Sequence, residues 1–141
     1  MRLIPVDKEN RSAYKVFEQA KDLPTYLSRI YPNLEASYLK WMYIEEDGNY
    51  IGSVWLEGQD TRRAKLGIFI ADPAYRDKGI GKYAIQKMIS LAKSDVIDII
   101  TLNVRVGNLR ARKVYDSCGF KERKRFKKEN GIDVFYMELE L

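Results

Sequence analysis

The sequence contains no histidine and only one cysteine, Cys118, among its 141 residues. The absence of histidine excludes a Ser-His-Asp triad, a Cys-His dyad and a metal site built on imidazole. A single cysteine excludes an internal disulfide and a zinc cluster of several thiolates. We therefore predict no metal, and any chemistry must depend on carboxylates, hydroxyls, lysine, arginine or backbone groups.

Long apolar runs are also missing. No stretch approaches the roughly 18 consecutive apolar residues of a membrane span, and charges occupy the start of the chain, where a signal peptide needs its apolar core. We therefore expect a cytoplasmic protein with no membrane partner. The chain has no repeat, low-complexity tract or flexible linker, so residues 1–141 predict a single domain.

The net charge of +5 is concentrated in the second half of the chain. Residues 1–70 hold 10 basic and 10 acidic residues, whereas residues 71–141 hold 15 basic and 10 acidic ones. This asymmetry indicates that the second half meets an anion, and a nucleic acid or a phosphorylated cofactor would both fit. The run 121–128 holds six of these basic residues. A solvated edge strand explains the run, and cofactor steering or docking on an acidic protein or RNA stays open.

Hydrophobic periodicity predicts an α+β chain. The predicted elements, in chain order, are a strand at 3–6, helices at 12–20 and 25–30, strands at 41–46, 50–56 and 64–71, a helix after Gly81, a strand at 99–106, a helix at 108–117, and a final hairpin of strands 120–128 and 132–141. The Asn130-Gly131 pair is typical of the turn in such a hairpin.

A loop with two glycines joins a predicted strand to an amphipathic helix and has the features of an anion site. The first turn of a helix leaves about four N–H groups without intrahelical partners and carries partial positive charge. Gly79 and Gly81 let the backbone approach a diphosphate, and Arg76, Lys78 and Lys82 add positive charge. A plain loop explains the glycines about equally well.

Two standard nucleotide motifs do not fit this loop. The letters G-x-G-x-x-A occur at 79–84, but Pro73 and several polar residues separate them from the strand, and no carboxylate ends the next strand. A Walker loop is excluded because Tyr83 follows Gly81-Lys82, where serine or threonine is required.

Two motifs about 30 residues apart resemble those of the GCN5-related N-acetyltransferase (GNAT) superfamily. The first, R/Q-x-x-G-x-G after an apolar strand and x-D-P, occurs at 76–81. The second, N-x-x-A-x-x-x-Y-x-x-x-G-F, is met by Asn108, Ala111, Tyr115, Gly119 and Phe120. The resemblance implies a mixed, mostly antiparallel sheet of about seven strands, with helices on both faces and a splayed fourth and fifth strand.

The resemblance also implies a reaction and a site. The enzyme would transfer the acetyl group of acetyl-CoA to a primary amine by direct attack through a tetrahedral intermediate. The pantetheine arm would pair with the backbone of Phe69, Ile70 and Ala71 and accept a hydrogen bond from Asn108. The pyrophosphate would lie on Arg76, Asp77, Lys78, Gly79, Ile80, Gly81 and Lys82. Tyr115 would protonate the CoA thiolate as general acid, although its helical spacing also fits a core aromatic.

The sequence leaves the general base and the acceptor open. Asn103 stands on the predicted fifth strand where amino-terminal acetyltransferases of this family carry a glutamate. A water chain, Glu57, Asp98 or another carboxylate stays open as the base. Peptide amino termini, lysine, polyamines, aminoglycosides and other small amines all fit as acceptors. An apolar or aromatic-lined acceptor pocket is suggested by Tyr26, Tyr31, Tyr38, Trp41 and Tyr43, although core packing explains most of these residues equally well.

Two functional hypotheses other than an N-acetyltransferase stay open. A non-catalytic CoA-binding regulatory or scaffold module would keep the fold without the reaction. A nucleic-acid partner is not favoured, because an RNA-binding sheet would need several exposed aromatics and Phe126 stands alone in the basic run. A homodimer also stays open.

Overall fold

The computed structural model describes residues 1–19, 30–59 and 62–141. The helix predicted at 25–30 therefore lies outside the described residues except for Ile30, and so does Tyr26.

Seven strands of the described residues form one mixed sheet in the order β1-β2-β3-β4-β5-β7-β6. Their bounds are β1 (Arg2–Pro5), β2 (Tyr38–Glu46), β3 (Asn49–Gly58), β4 (Arg63–Ile70), β5 (Ile99–Arg105), β6 (Lys121–Lys127) and β7 (Asp133–Glu140). Neighbouring strands are antiparallel except for the parallel pair β4 and β5. The predicted α+β class with a mostly antiparallel sheet is confirmed.

The parallel pair separates after three residues. Its register joins Arg63–Lys65 of β4 to Ile99–Thr101 of β5. Beyond this point β4 stays paired to β3 and β5 stays paired to β7, while the two central strands no longer pair with each other. The predicted splay is confirmed, and the gap has a closed end at Lys65 and an open end at Ile70.

Two α-helices cover one face of the sheet. Helices α1 (Ile80–Ser94) and α2 (Leu109–Ser117) contribute to a single apolar cluster with the strands. In α1, buried Ala84, Ile85, Met88 and Ala92 recur at the spacing of one helical face. In the described ranges, neither α-helix combines the length and the apolar composition of a membrane-crossing segment.

The opposite face carries a smaller, aromatic cluster under a 3₁₀ helix at Arg11–Gln19. An α-helix was the expectation for 12–20, and the buried Tyr43 accounts for part of the difference. The hydroxyl of Tyr43 donates to the Arg11 carbonyl at 2.7 Å and accepts from the Tyr14 N–H at 3.1 Å. A side chain from β2 thus replaces a regular backbone partner in the first turn.

The basic run forms the edge strand β6, and the neighbouring strand compensates much of its charge. Arg125 and Lys127 both lie within 3.5 Å of the Asp133 carboxylate, and Arg123 pairs with Glu138 at 3.5 Å. These contacts agree with a solvated edge strand that uses charge to discourage further pairing.

Candidate active site

A cleft of about 360 Å³ occupies the gap between β4 and β5 and extends to the amino-terminal ends of α1 and α2. The predicted site residues that line it are Phe69, Ile70, Arg76, Asp77, Gly79, Gly81, Lys82, Asn108 and Tyr115. Ala71, Lys78 and Ile80 are not among its described lining residues. The fold therefore brings the two sequence motifs to one cavity, although they are about 30 residues apart in the chain.

The glycines leave the first turn of α1 accessible. Gly79 is the N-cap residue, has a φ of +79° and provides no side-chain hydrogen bond to the first-turn amides. A Cβ on Gly81 would lie 3.8 Å from Ile70 Cδ1 and 3.9 Å from Ile68 Cδ1, and all three residues line the cleft. The missing side chain at Gly81 thus leaves space beside unsatisfied helix amides, which is where an anion binds.

Arg76 has a structural role within this loop. Its guanidinium donates to the Ile70 carbonyl through Nη2 at 2.7 Å and Nε at 3.1 Å. These bonds hold the loop against the end of β4, and they keep the backbone that follows at the open end of the cleft.

Asp77 places a negative charge in a loop that is expected to bind phosphate, and the guanidinium of Arg110 on α2 compensates that charge. Arg110 Nε lies 2.9 Å from Asp77 Oδ1, and both residues line the cleft. Our sequence reasoning missed Arg110, because the pair joins segments more than 30 residues apart and no local pattern shows it. The pair places a guanidinium at the mouth of the cleft.

The backbone of β4 turns alternate residues toward the cleft. The Ala71 N–H donates to the Ile51 carbonyl at 2.8 Å, so Ala71 and Phe69 direct their backbone groups toward β3. By the same alternation, the backbone N–H and C=O groups of Leu66, Ile68 and Ile70 point to the side of β4 that faces the gap. Beyond Lys65 no described strand pairs with this side, and we call it the free edge of β4. Of the three residues expected to pair with the pantetheine arm, Ile70 has the suitable orientation, and its carbonyl already accepts from Arg76.

The position of Tyr115 is compatible with both roles that the sequence left open. Its ring packs against the main apolar cluster and makes an edge contact with Phe120, with ring centroids 5.9 Å apart. The residue also lines the cleft. Burial, with a smaller contribution from nearby Cys118, raises the pKa of Tyr115 to about 12. The phenol therefore stays protonated at neutral pH, as a proton donor must.

Asn108 likewise serves the fold and faces the cleft. It is the N-cap of α2, where its Oδ1 accepts from the Ala111 N–H at 3.2 Å. The same amide carries N–H donors on Nδ2, which capping does not use. Asn108 can therefore cap the helix and donate a hydrogen bond to a ligand at once.

The carboxylates considered as general bases lie in different places. Asp98 forms an ion pair with Arg62 at 2.7 Å and is not among the described residues of the cleft. Glu57 lines the cleft, is 8% exposed, and pairs in register with Lys65 at its closed end. Asn103 also lines the cleft and is exposed.

The aromatic residues expected around an acceptor divide between the two faces. Trp41 and Tyr43 are buried in the aromatic cluster, whereas Tyr38 packs on the helix-covered face and donates to Asp95 at 2.8 Å. Tyr31 is partly exposed and lines a second cavity. Core packing therefore explains most of this aromatic group.

Comparisons with known proteins agree with the motifs. The model of the acetyltransferase (GNAT) family matches residues 5–120. The ribosomal protein bS18-alanine N-acetyltransferase of Haemophilus ducreyi is 26% identical over 117 residues, which cover 83% of this chain and 79% of that protein.

Two solved structures share the fold at low sequence identity. The spermidine N-acetyltransferase of Vibrio cholerae, in complex with CoA and spermine, is 20% identical with a TM-score of 0.78 and covers 99% of this chain and 94% of that one. A ribosomal-protein-alanine N-acetyltransferase from Brucella melitensis is 16% identical with a TM-score of 0.79 over 100% of both chains.

Proposed function

The chain belongs to the acetyltransferase (GNAT) family and is an N-acetyltransferase, and on that premise we propose how its cleft carries out the reaction. Acetyl-CoA binds with its pyrophosphate at the open end of the β4–β5 gap and its thioester toward the closed end. The observation that supports this orientation most is the position of the uncapped, glycine-lined start of α1 at the open end.

The residues of the cleft fit an acyl-CoA. The first-turn amides of α1 and the side chains of Lys82 and Arg110 provide positive potential for the pyrophosphate. The free edge of β4 offers peptide groups from Leu66 to Ile70 to the amides of the pantetheine arm, in the manner of an added strand. Asn108 donates from Nδ2 on the opposite side. Acetyl-CoA supplies the activated acyl group, and the chain positions it.

We assign to Tyr115 the protonation of the leaving sulfur. The acceptor nitrogen, as the free amine, forms a bond to the acyl carbon and gives a tetrahedral intermediate. The intermediate collapses as the carbon–sulfur bond breaks, and the nitrogen loses one proton to solvent. Tyr115 donates its phenolic proton to the sulfur and recovers a proton from solvent afterwards. Backbone N–H groups on the free edge of β4 stabilise the charge on the carbonyl oxygen in the meantime. The net reaction converts an amine and acetyl-CoA to an acetamide and CoA.

Calorimetric titration of the full chain with acetyl-CoA tests the cofactor site, and a panel of amines with a thiol-detecting reagent tests turnover. We expect micromolar to submillimolar affinity, typical of enzyme substrates, and release of thiol that depends on an amine. Absence of CoA binding would contradict the proposal. Binding without turnover across peptide, lysine and small-molecule amines would leave a CoA-binding module.

We further propose that residues 1–141 act as one acetyltransferase domain, since the family match spans 5–120 and the described strands form a single sheet. The cytoplasmic location and the homodimer stay predictions.

A further inference from the structure

The cleft is lined by side chains from both faces of the sheet. Its lining includes the consecutive β4 residues 65–70, and consecutive residues of a strand point to opposite faces. Leu66, Ile68 and Ile70 pack in the main apolar cluster with the two α-helices, whereas Phe69 packs in the aromatic cluster on the other face. The gap between β4 and β5 therefore reaches both faces.

The proposed cofactor site and part of the hairpin β6–β7 lie on different faces. Tyr115 packs in the main apolar cluster, and so does Met137 of β7. Val134, three residues before Met137, therefore points to the opposite face. The Lys128 N–H donates to the Ile132 carbonyl at 2.9 Å, which extends the hairpin, and by the same alternation both side chains share the face of Val134. Val134, Lys128 and Ile132 all line the cleft.

Lys128 brings a positive charge to this part of the lining. Its side chain is half-buried, and within the described ranges no carboxylate lies at ion-pair distance from its ammonium group. Asp133, the acidic residue across the hairpin, pairs with Arg125 and Lys127 instead. A half-buried ammonium group gains a charge-assisted hydrogen bond when an anionic ligand binds to it.

The other charged residues that line the cleft on this face are Glu57, Lys65 and Arg105. Each of the three already interacts with other groups of the protein. Among the described charges on this face, the ammonium group of Lys128 is therefore the one that the fold leaves for a ligand.

The turn of the hairpin adds hydrogen-bond donors close to Lys128 in the chain. Asn130 lines the cleft, and its Oδ1 accepts from the Ile132 N–H at 3.1 Å. This bond orients the side chain and leaves the two N–H groups of Nδ2 for a ligand. An ammonium group and an amide two residues apart offer donors of the kind that a carboxylate accepts.

Asn103 lies on the same face near the proposed thioester. Its neighbours Leu102 and Val104 pack in the main apolar cluster, so the exposed side chain of Asn103 lines the cleft from the opposite face. Asn103 is two residues beyond Thr101, the last residue of β5 that pairs with β4. An amine beside Asn103 is therefore close to the closed end of the gap, where the acyl group is expected.

The distance between Asn103 and Lys128 indicates the size of the acceptor. Asn103 pairs with Tyr136 of β7, and Lys128 is bonded to Ile132, four residues earlier on the same segment. Four residues of strand span about 13 Å, and the lysine side chain covers part of this distance. An acceptor whose amine and anionic group are several bonds apart can reach both residues.

We propose that the acceptor is an amine that also carries a carboxylate, and that Lys128 selects it. This inference rests on the proposed function. The amine approaches the acyl carbon beside Asn103, while Lys128 and Asn130 bind the carboxylate, which takes no part in the bond changes. An amino acid with a distant amine and a peptide amine followed by an acidic side chain share this chemistry.

Two series of amines, each given to the full chain with saturating acetyl-CoA, test the charge preference. The first is 4-aminobutyrate, butylamine and 1,4-diaminobutane, whose distal groups are negative, neutral and positive. The second is the amidated tripeptides Ala-Glu-Ala, Ala-Gln-Ala and Ala-Lys-Ala. We expect kcat/KM to fall in the stated order in at least one series, by about 10-fold from the first member to the second, the low end for a hydrogen bond to a charged group. The series that shows this order identifies the source of the carboxylate.

Variants of Lys128 test the residue itself. Lys128→Glu should reverse the order of the series, Lys128→Ala should remove the preference for the anionic member, and Lys128→Arg should keep it. CoA affinity should stay within about 2-fold of wild type in all three, because Lys128 lies on the face opposite the proposed cofactor site. Lys124→Glu makes the same charge change at an exposed residue of β6 outside the described lining of the cleft, and this control should keep the wild-type order.

Equal kcat/KM within both series, or the wild-type order in Lys128→Glu, would overturn the inference. It would also be overturned if acetyl-CoA binds and only other amines, such as aminoglycosides, react, and the proposed function would then stand. Absence of turnover with every amine would contradict both. The wild-type series decides the charge preference even if a Lys128 variant fails to fold.

Discussion

The two cavities that share Glu57 in their linings are assembled from different parts of the chain. The cleft is lined by residues at the start of α1, along β4 and β5 and at the start of α2, and the anion site proposed there is the glycine-containing first turn of α1. The second cavity is lined by 31–35 and by Glu57 of β3. Backbone sites need glycines and caps at fixed spacing, which a motif preserves, whereas side-chain sites depend on which segments the fold brings together. Variants in the cleft should therefore alter CoA affinity or chemistry, and variants confined to the second cavity should spare CoA affinity.

The largest effect is expected for Tyr115→Phe. The variant keeps the edge contact with Phe120 but removes the proton donor, so kcat should fall about 10²- to 10⁴-fold. CoA affinity should stay nearly constant, since the phenol acts on charge that develops during the reaction. Steady-state rates and calorimetric titration measure the two quantities. The exposed Tyr83→Phe on α1 is the matched control, and equal losses of rate and affinity at Tyr115 would indicate packing instead.

The pH profile extends this test of the cofactor side. In the proposed mechanism the protonated phenol is the active form, and burial raises the pKa of Tyr115 to about 12. Tyr115 should therefore keep its proton as the pH rises from about 7 to about 10, the range in which an ordinary tyrosine begins to lose it. The kcat profile of wild type should show no alkaline decline from this group there. A decline near pH 10 that disappears in Tyr115→Phe would contradict the assignment.

The next largest effect is expected for Gly81→Glu, a change in the first turn of α1 where it lines the cleft. The nearest atoms to a new Cβ are side-chain methyls at 3.8 and 3.9 Å, so the fold should persist. The carboxylate would lie at the positive end of α1 and repel the pyrophosphate, and we expect about 10²-fold weaker CoA binding, the scale at which like charges meet in an interface. Gln86→Glu places the same charge on an exposed position of α1 as a control. Unchanged CoA affinity in Gly81→Glu would contradict the assignment of the CoA pyrophosphate to the start of α1.

A smaller effect is expected for Gly67→Ala, a change in β4 where it lines the cleft. A Cβ at this position would overlap the Trp55 indole, and that indole donates to Glu57. The ring must move, so we expect a loss of about 1–3 kcal/mol in the free energy of unfolding, as for overpacked cores. Denaturant unfolding is the measurement.

Gly107→Ala serves as the control for Gly67→Ala, because a Cβ there meets no atom within 4 Å. Its free energy of unfolding should stay within about 0.5 kcal/mol of wild type. If Gly67→Ala leaves the free energy of unfolding unchanged, the close packing of the Trp55 ring on Gly67 does not stabilise the sheet as the contact indicates.

The smallest effect is expected for Arg110→Ala at the mouth of the cleft. Its pair with Asp77 is more than half exposed on both sides, so we expect CoA affinity to fall only about 2- to 5-fold. The loss should shrink at high salt, where exposed charges are screened. Titration at two ionic strengths checks both statements, and Lys113→Ala on the same helix is the control. An unchanged affinity at low salt would show that Arg110 only neutralises Asp77.

The motifs were sufficient to predict which residues line one cleft, and the cofactor site there stays a proposal. Gly79, Gly81, Asn108 and Tyr115 all line the cleft, because local features, namely a helix start, a cap and a helical face, determine where such residues lie. The splayed strands also followed from the resemblance. The sequence did not predict hydrogen bonds that depend on neighbouring segments. The Ala71 N–H donates to a carbonyl of β3, and the Arg76 guanidinium donates to the Ile70 carbonyl.

The sequence by itself determined the α+β fold through its periodicity, and its two motifs of short, fixed spacing were sufficient for the resemblance to the GNAT family and for the proposed place of an anionic cofactor. Only the tertiary structure decided that Glu57, rather than Asp98, lies at the cleft, and that Asp77 meets Arg110. It also placed 31–35 next to β3 as a second cavity. These contacts join segments far apart in the chain, and their chemistry exists only once the sheet has brought them together.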